Sequence, residues 1–140
     1  MNRQIGLIER CNALYRHNAF KELGIGGCQH TYILCICNNP GISQEEIAKR
    51  IHVNKSNVTR NITSLEEAGF LYRSENPNDK RSFLVNPTEK AYEIKGKILG
   101  ILRFWDGKLT EDLTIEEKEF LNDILLKVAQ KALIEVGDKE

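Results

Sequence analysis

Apolar positions recur at helical spacing along most of this chain and give way once to two short strand-like runs. Residues 2–21 predict a first helix with two stripes. Ile5, Ile8, Tyr15 and Ala19 form one, and Leu7, Cys11 and Leu14 the other, so burial on two sides is expected. Leu23-Gly-Ile-Gly-Gly27 ends it. Residues 28–37 predict a short second helix, largely apolar on one side, that stops at Asn39-Pro40-Gly41. Ser43 opens a third helix as its cap, with Glu46 three residues on as a capping-box partner and Ile42 and Ile47 at the staple positions. That helix ends near Ile51. Asn54 caps a fourth, in which Val58, Ile62 and Leu65 form the buried stripe and Gly69 the stop.

Residues 70–75 and 82–85 read as strands, and the turn-rich Asn76-Pro-Asn-Asp-Lys-Arg81 between them predicts a hairpin. A long helix follows, capped either by Asn86 with Pro87 in its first turn or by Thr88. Its Ala91, Ile94, Ile98, Ile101 and Trp105 step by three and four, a seam expected to break at Gly107. Thr114, with Glu117 three on, starts a last helix carrying Leu121, Leu125, Val128 and Ala132. The order is helix, helix, helix-turn-helix, hairpin, helix, helix: a mainly α chain with a small β-hairpin, patterned as a winged helix-turn-helix.

Length and charge sharpen this picture. A chain of 140 residues, 41% of them apolar, is expected to form one domain. Lysines and arginines balance aspartates and glutamates at 20 each, so net charge says nothing about partners. Its distribution does. Residues 47–81 hold seven bases (Lys49, Arg50, Lys55, Arg60, Arg73, Lys80 and Arg81) against four acids, and no acid interrupts Ile47 to Leu65. A helix face of cations, amides and hydroxyls suits phosphates and base edges. With Ile47, Ala48, Ile51, Val58, Ile62 and Leu65 packing the two helices together, the other face of the second is free for a major groove.

On that face Arg60 suits guanine, Asn57 adenine, and Ser56 and Thr59 phosphate or thymine methyls, with Lys55 beside them. Lys80 and Arg81, at the hairpin tip, suit a narrow minor groove. Ser43, at the start of the preceding helix, completes the DNA-facing set. Double-stranded DNA is the expected partner, and the alternative is a winged helix used to bind an acidic protein.

These residues resemble the MarR (multiple-antibiotic-resistance regulator) family of bacterial transcription factors. The resemblance spans most of the chain. It rests on Gly41-Ile-Ser-Gln-Glu-Glu-Ile-Ala48, Asn54-Lys-Ser-Asn-Val-Thr-Arg60, Leu65-Glu-Glu-Ala-Gly-Phe-Leu71, Asp79-Lys-Arg81 and Leu113-Thr-Ile-Glu-Glu117. Asn54 is a departure, since aspartate is common there, and so is Pro87 before Thr88; both keep capping chemistry. The resemblance implies a homodimer with interleaved first and last helices, and a wing whose Arg81, steadied by Asp79, reads the minor groove. It also implies repression at a pseudo-palindromic operator, relieved by a small-molecule effector. The single domain 1–140 is then divided into a DNA-binding lobe, 28–87, and a helical dimerisation lobe, 1–24 with 88–140.

Other chemistry is less well supplied. Cys11 and Tyr15, one helical turn apart, have the spacing of the peroxide-sensing members of that family, although the second tyrosine of those sensors is not evident. A thiol-based redox regulator is therefore an alternative, Cys11 and Tyr15 are with His30 and Trp105 the candidate neighbours of an effector pocket, and all four cysteines are expected mainly as buried thiols acting as small hydrophobes. Cys28 and His30, with His17 farther off, are a poor metal set, and no metal or cofactor is expected. Gly24-Ile-Gly-Gly lacks the third glycine of a dinucleotide loop, and three scattered histidines give no nucleophile–base pair, so no enzyme is expected. The N-terminal Met-Asn-Arg-Gln-Ile has no apolar region, and no run approaches membrane-spanning length. A cytoplasmic location is expected, with no membrane partner.

Overall fold

The computed structural model describes residues 1–137. The elements, in chain order, are α1 (Asn2–Phe20), a 3₁₀ turn (Lys21–Leu23), α2 (Gln29–Asn38), β1 (Ile42–Ser43), α3 (Gln44–Arg50), α4 (Lys55–Glu67), β2 (Leu71–Glu75), β3 (Phe83–Pro87), α5 (Glu89–Leu109) and α6 (Ile115–Glu135). They divide into two compact units, Met1–Leu99 and a second from Gly100 onward.

In the first unit α2 packs on α3, α4 and β3, and α4 also packs on β2. Ile33, Ile36, Ile47, Val58, Ile62, Leu65, Phe70, Val85 and Ile98 are its buried centre. The expected hairpin is two strands of a three-stranded antiparallel sheet, ordered β1-β3-β2. The added strand is the dipeptide before α3, with Ile42 opposite Val85 and Ser43 opposite Leu84. Two residues are too short for a strand pattern to register, yet they pin the start of α3 to the wing.

Helix starts follow their caps. The Ser43 hydroxyl oxygen accepts from the Glu46 amide at 3.1 Å, while the Glu46 carboxylate pairs with Arg50 at 3.3 Å. Asn54 Oδ1 accepts from the Asn57 amide at 2.8 Å. Pro87 ends β3, so Thr88 stands before α5. Its hydroxyl donates to the Gly69 carbonyl at 2.6 Å, and Lys90 donates to the Ala68 carbonyl at 2.6 Å while lying over the Phe70 ring. The end of α4 is thereby tied to the start of α5, with Gly69 (φ 83°) turning the chain in the left-handed region that a side chain would resist.

Gly107 does not break the long helix, which continues to Leu109. Its backbone stays helical, and one glycine costs a helix only about 1 kcal/mol against alanine. The seam divides as well. Ala91, Ile94 and Ile98 are buried within their own unit, whereas Ile101 and Trp105 are half-buried. In the second unit α6 opens on a complete capping box between Thr114 and Glu117. None of its residues is buried. Phe120, Ile124, Leu125 and Leu126 stand exposed on it, as do Ile5, Leu7, Ile8 and Leu14 on α1.

Candidate DNA interface

α3 and α4 form the helix-turn-helix. Its turn passes through His52, at φ 56°, a non-glycine residue in the left-handed region. Val58, Ile62 and Leu65 anchor α4 in the core, and Lys55, Ser56, Thr59 and Arg60 are exposed on its first turns, with Asn57 half-buried between them.

These side chains are already ordered by one another. Ser56 donates to Asn54 Oδ1 at 3.0 Å, Thr59 to the Lys55 carbonyl at 3.1 Å, and Arg60 to Asn57 Oδ1 at 2.6 Å. Lys55 meets Glu45 of α3 at 3.4 Å, both side chains well exposed. An exposed pair of this kind is weak and leaves the ammonium free to exchange partners. The acid-free run along α4 therefore has a carboxylate beside it, supplied by α3.

The wing loop is ordered by its own polar groups. The Asp79 carboxylate accepts from the Arg81 amide at 2.9 Å, Asn76 Oδ1 from the Asn78 amide at 3.0 Å, and Asn76 donates to Ser82 Oγ at 3.0 Å. Asp79 thus holds the backbone of Arg81, whose guanidinium extends from an exposed residue. Arg81, Asp79 and Ser82 share a cleft of about 250 Å3 with Lys55 and Val58 of α4 and Gln44 and Glu45 of α3. The recognition helix and the wing therefore present Lys55 and Arg81 to one opening. Lys80 lies instead on a separate cleft of the wing, with Glu75 and Phe83. Ser43 is half-buried, its oxygen occupied by the cap.

The later polar residues of α4 serve the protein. Asn61 donates to the Asn57 carbonyl and to the Tyr32 hydroxyl (3.4 Å), and Gln29 of α2 donates to Ser64 at 3.2 Å. Thr63 donates to the Thr59 carbonyl at 2.9 Å and accepts from Arg73 of β2 at 2.8 Å. Glu66 accepts from the Arg73 amide at 3.2 Å. Sequence reasoning missed Gln29, Tyr32 and Arg73. Arg73 had a signal, for it shares strand parity with Leu71, which is buried, and a cation on the inner side of a strand requires a partner.

Cys11 is exposed and Tyr15 half-buried on α1, outside the α3–α4–wing assembly. Against the expected burial of all four thiols, Cys28 is exposed like Cys11, whereas Cys35 is half-buried and Cys37 buried; burial pushes these two above the ordinary thiol range and favours their protonated form. His30, the second member of the weak metal set, is buried against Phe20, with ring centroids 5.0 Å apart. Among the described residues no group of three or more His, Cys, Asp or Glu is placed to hold a metal ion. No described helix is long and apolar enough to cross a membrane.

Residues 28–83 match the family model described as MarR family. The chain is similar to the HTH-type transcriptional regulator YybA of Bacillus subtilis (strain 168), at 33% identity over 130 residues, covering 90% of this chain and 84% of that one. It is similar to the regulator BilQ of Clostridioides difficile (strain CD3), at 29% identity over 79% of this chain and 76% of that one. Among solved structures, a MarR family regulator of Listeria monocytogenes complexed with 26mer DNA superposes with a TM-score of 0.86, at 28% identity over 100% of this chain and 97% of that one. With the helix-turn-helix, the wing and these likenesses together, the chain belongs to the MarR family of transcriptional regulators.

Proposed function

We propose that this regulator is a homodimeric repressor that binds a pseudo-palindromic operator and releases it when a small molecule binds. The observation that carries the DNA reading is the shared opening of Lys55 and Arg81, with Ser56, Thr59 and Arg60 exposed on the same helix. Arg60 and Asn57 read base edges in the major groove; Ser43, Lys55, Ser56 and Thr59 bind phosphate or sugar; Lys80 and Arg81 enter the flanking minor groove, with Asp79 holding the loop. Residues 28–87 form the DNA-binding lobe. The Listeria relative's complex with DNA supports this reading.

Residues 1–24 and 88–140, the last three of which lie outside the described residues, form the dimerisation lobe. The support is the apolar surface that a single chain leaves in water, on α6 and on α1. Two-fold symmetry then sets the half-sites about one helical turn apart, roughly 10 base pairs.

For the effector, the support is two buried polar atoms, Arg16 Nε and His30 Nδ1, that have no hydrogen-bond partner among the described residues. Burial and the Arg16 charge hold His30 below its ordinary value of 6.5, against a backbone hydrogen bond with Gly27 that raises it, which favours the neutral imidazole. An effector that prefers a dimer with differently spaced recognition helices shifts the population away from the DNA-bound form. The protein works in the cytoplasm and without catalysis.

The test is enrichment of duplexes from a randomised pool, followed by titration at several salt concentrations. One two-fold sequence should be enriched, with affinity that falls steeply as salt rises. Arg60→Ala should weaken that duplex by ~1–3 kcal/mol. Binding that ignores sequence, or an Arg60→Ala protein that binds normally, overturns the assignment of α4.

A further inference from the structure

The wing and the recognition helix meet at one side chain. Arg73 rises from the middle of β2 on the side that faces α4, and its side chain is only 22% exposed. Its Nη2 donates to Thr63 Oγ1 at 2.8 Å, and its Nε lies 3.5 Å from Glu66 Oε2. The same Glu66 oxygen accepts from the Arg73 backbone amide at 3.2 Å, which satisfies a donor on the open edge of the sheet. The guanidinium also lies 5.9 Å from the centre of the Phe83 ring, on the neighbouring strand. One residue therefore grips the helix at two positions and both strands of the wing.

The tie reaches toward the DNA-facing surface. Thr63, having accepted from Arg73, donates to the Thr59 carbonyl one turn earlier, so a continuous chain of hydrogen bonds runs from β2 to the exposed turn of α4. At the far end of the wing, Asp79, Asn76 and Ser82 hold the loop by hydrogen bonds of their own. The loop is ordered internally and its base is fastened to α4. What a wing ordered only internally would lack is a fixed position relative to the recognition helix, and Arg73 supplies it.

We propose that Arg73 is a positioning residue for DNA recognition, locking the wing to α4 so that Arg81 and Arg60 meet adjacent grooves as one body. Arg73 touches no DNA in this scheme. The inference rests on the DNA-binding reading and goes beyond it in assigning the coupling between two contact surfaces to one side chain. Prepositioning matters because a wing free to swing must be ordered on binding, and that entropy is subtracted from whatever Arg81 gains in the minor groove.

The experiment is a double-mutant cycle on the duplex that the wild-type protein enriches from a randomised pool. In the wild-type background Arg81→Ala should weaken binding roughly tenfold or more. In an Arg73→Met background the same change should weaken it less than about threefold, because an untethered wing has little contact left to lose. Hydroxyl-radical protection of the Arg73→Met complex should fade at the outer minor grooves and persist at the central major grooves. Thr63→Val removes the acceptor of Arg73 Nη2, and Glu66→Gln removes the charge facing its Nε while keeping an oxygen; each leaves Arg73 in place and should lower the Arg81→Ala penalty in part, even if Arg73→Met folds poorly. Additive losses, with an unchanged Arg81→Ala penalty in all three backgrounds, would overturn the proposal and leave Arg73 a stability residue. An Arg81→Ala protein that binds as tightly as wild type would also overturn it, while the recognition-helix reading survives. If no duplex is enriched, the DNA-binding reading fails, and this proposal with it.

Discussion

His52 is held at φ 56° in the turn between α3 and α4, where a β-branched side chain would clash with its own backbone. His52→Val should therefore destabilise the protein by ~1–2 kcal/mol, and His52→Asn, which tolerates the left-handed region, far less. Urea unfolding of the two variants checks the difference. His30 gives a pH signature. Its folded value is lowered by burial and by Arg16, partly offset by a backbone group of Gly27, so the unfolded chain takes up a proton first. Stability should be fully present above about pH 6.5 and fall as acid is added through that value toward the lower folded one. His30→Leu should flatten that fall, as read from thermal midpoints between pH 7.5 and pH 5.

For whole elements, the caps make the strongest link from sequence to structure. Ser43, Asn54 and Thr114 each accept from the amide three residues on, as their spacing implies. Asn54→Ala should cost about 1 kcal/mol, while Asn54→Asp keeps the acceptor; circular dichroism melts distinguish them. The helix-turn-helix was legible because its apolar stripe, caps and stop glycine agree. β1 was not, since a dipeptide strand is defined by its partner across the sheet and has no period of its own. Gly107 misled because a glycine breaks a helix only where the backbone turns away, and nothing around Gly107 turns it. The division of polar residues along α4 was equally hidden. Lys55, Ser56, Thr59 and Arg60 face outward, whereas Asn61, Thr63, Ser64 and Glu66 are held by α2 and β2, elements distant in sequence. Charge pattern marks a face as polar; it does not say whether water, DNA or another strand meets it.

For the whole molecule, the proposed homodimer predicts a cover for α6, whose apolar side chains stand exposed. Leu125→Glu places a carboxylate among exposed apolar side chains, and for a homodimer it should yield monomers in sedimentation while leaving the helix-turn-helix folded. Operator affinity should drop with it, since each protomer then binds through one half-site. A Leu125→Glu protein that remains a dimer would move the interface elsewhere.

A last helix with no buried residue also has a consequence for dosage. A protomer that finishes folding only against its twin is present in working form in proportion to the square of its concentration, as long as free protomers predominate. Promoter occupancy then answers a change in supply more steeply than linearly. Halving production would cut the dimer about fourfold, and occupancy with it while the operator is far from saturated, so a gene under such a protein is switched by the cell's rate of synthesis as well as by any small molecule.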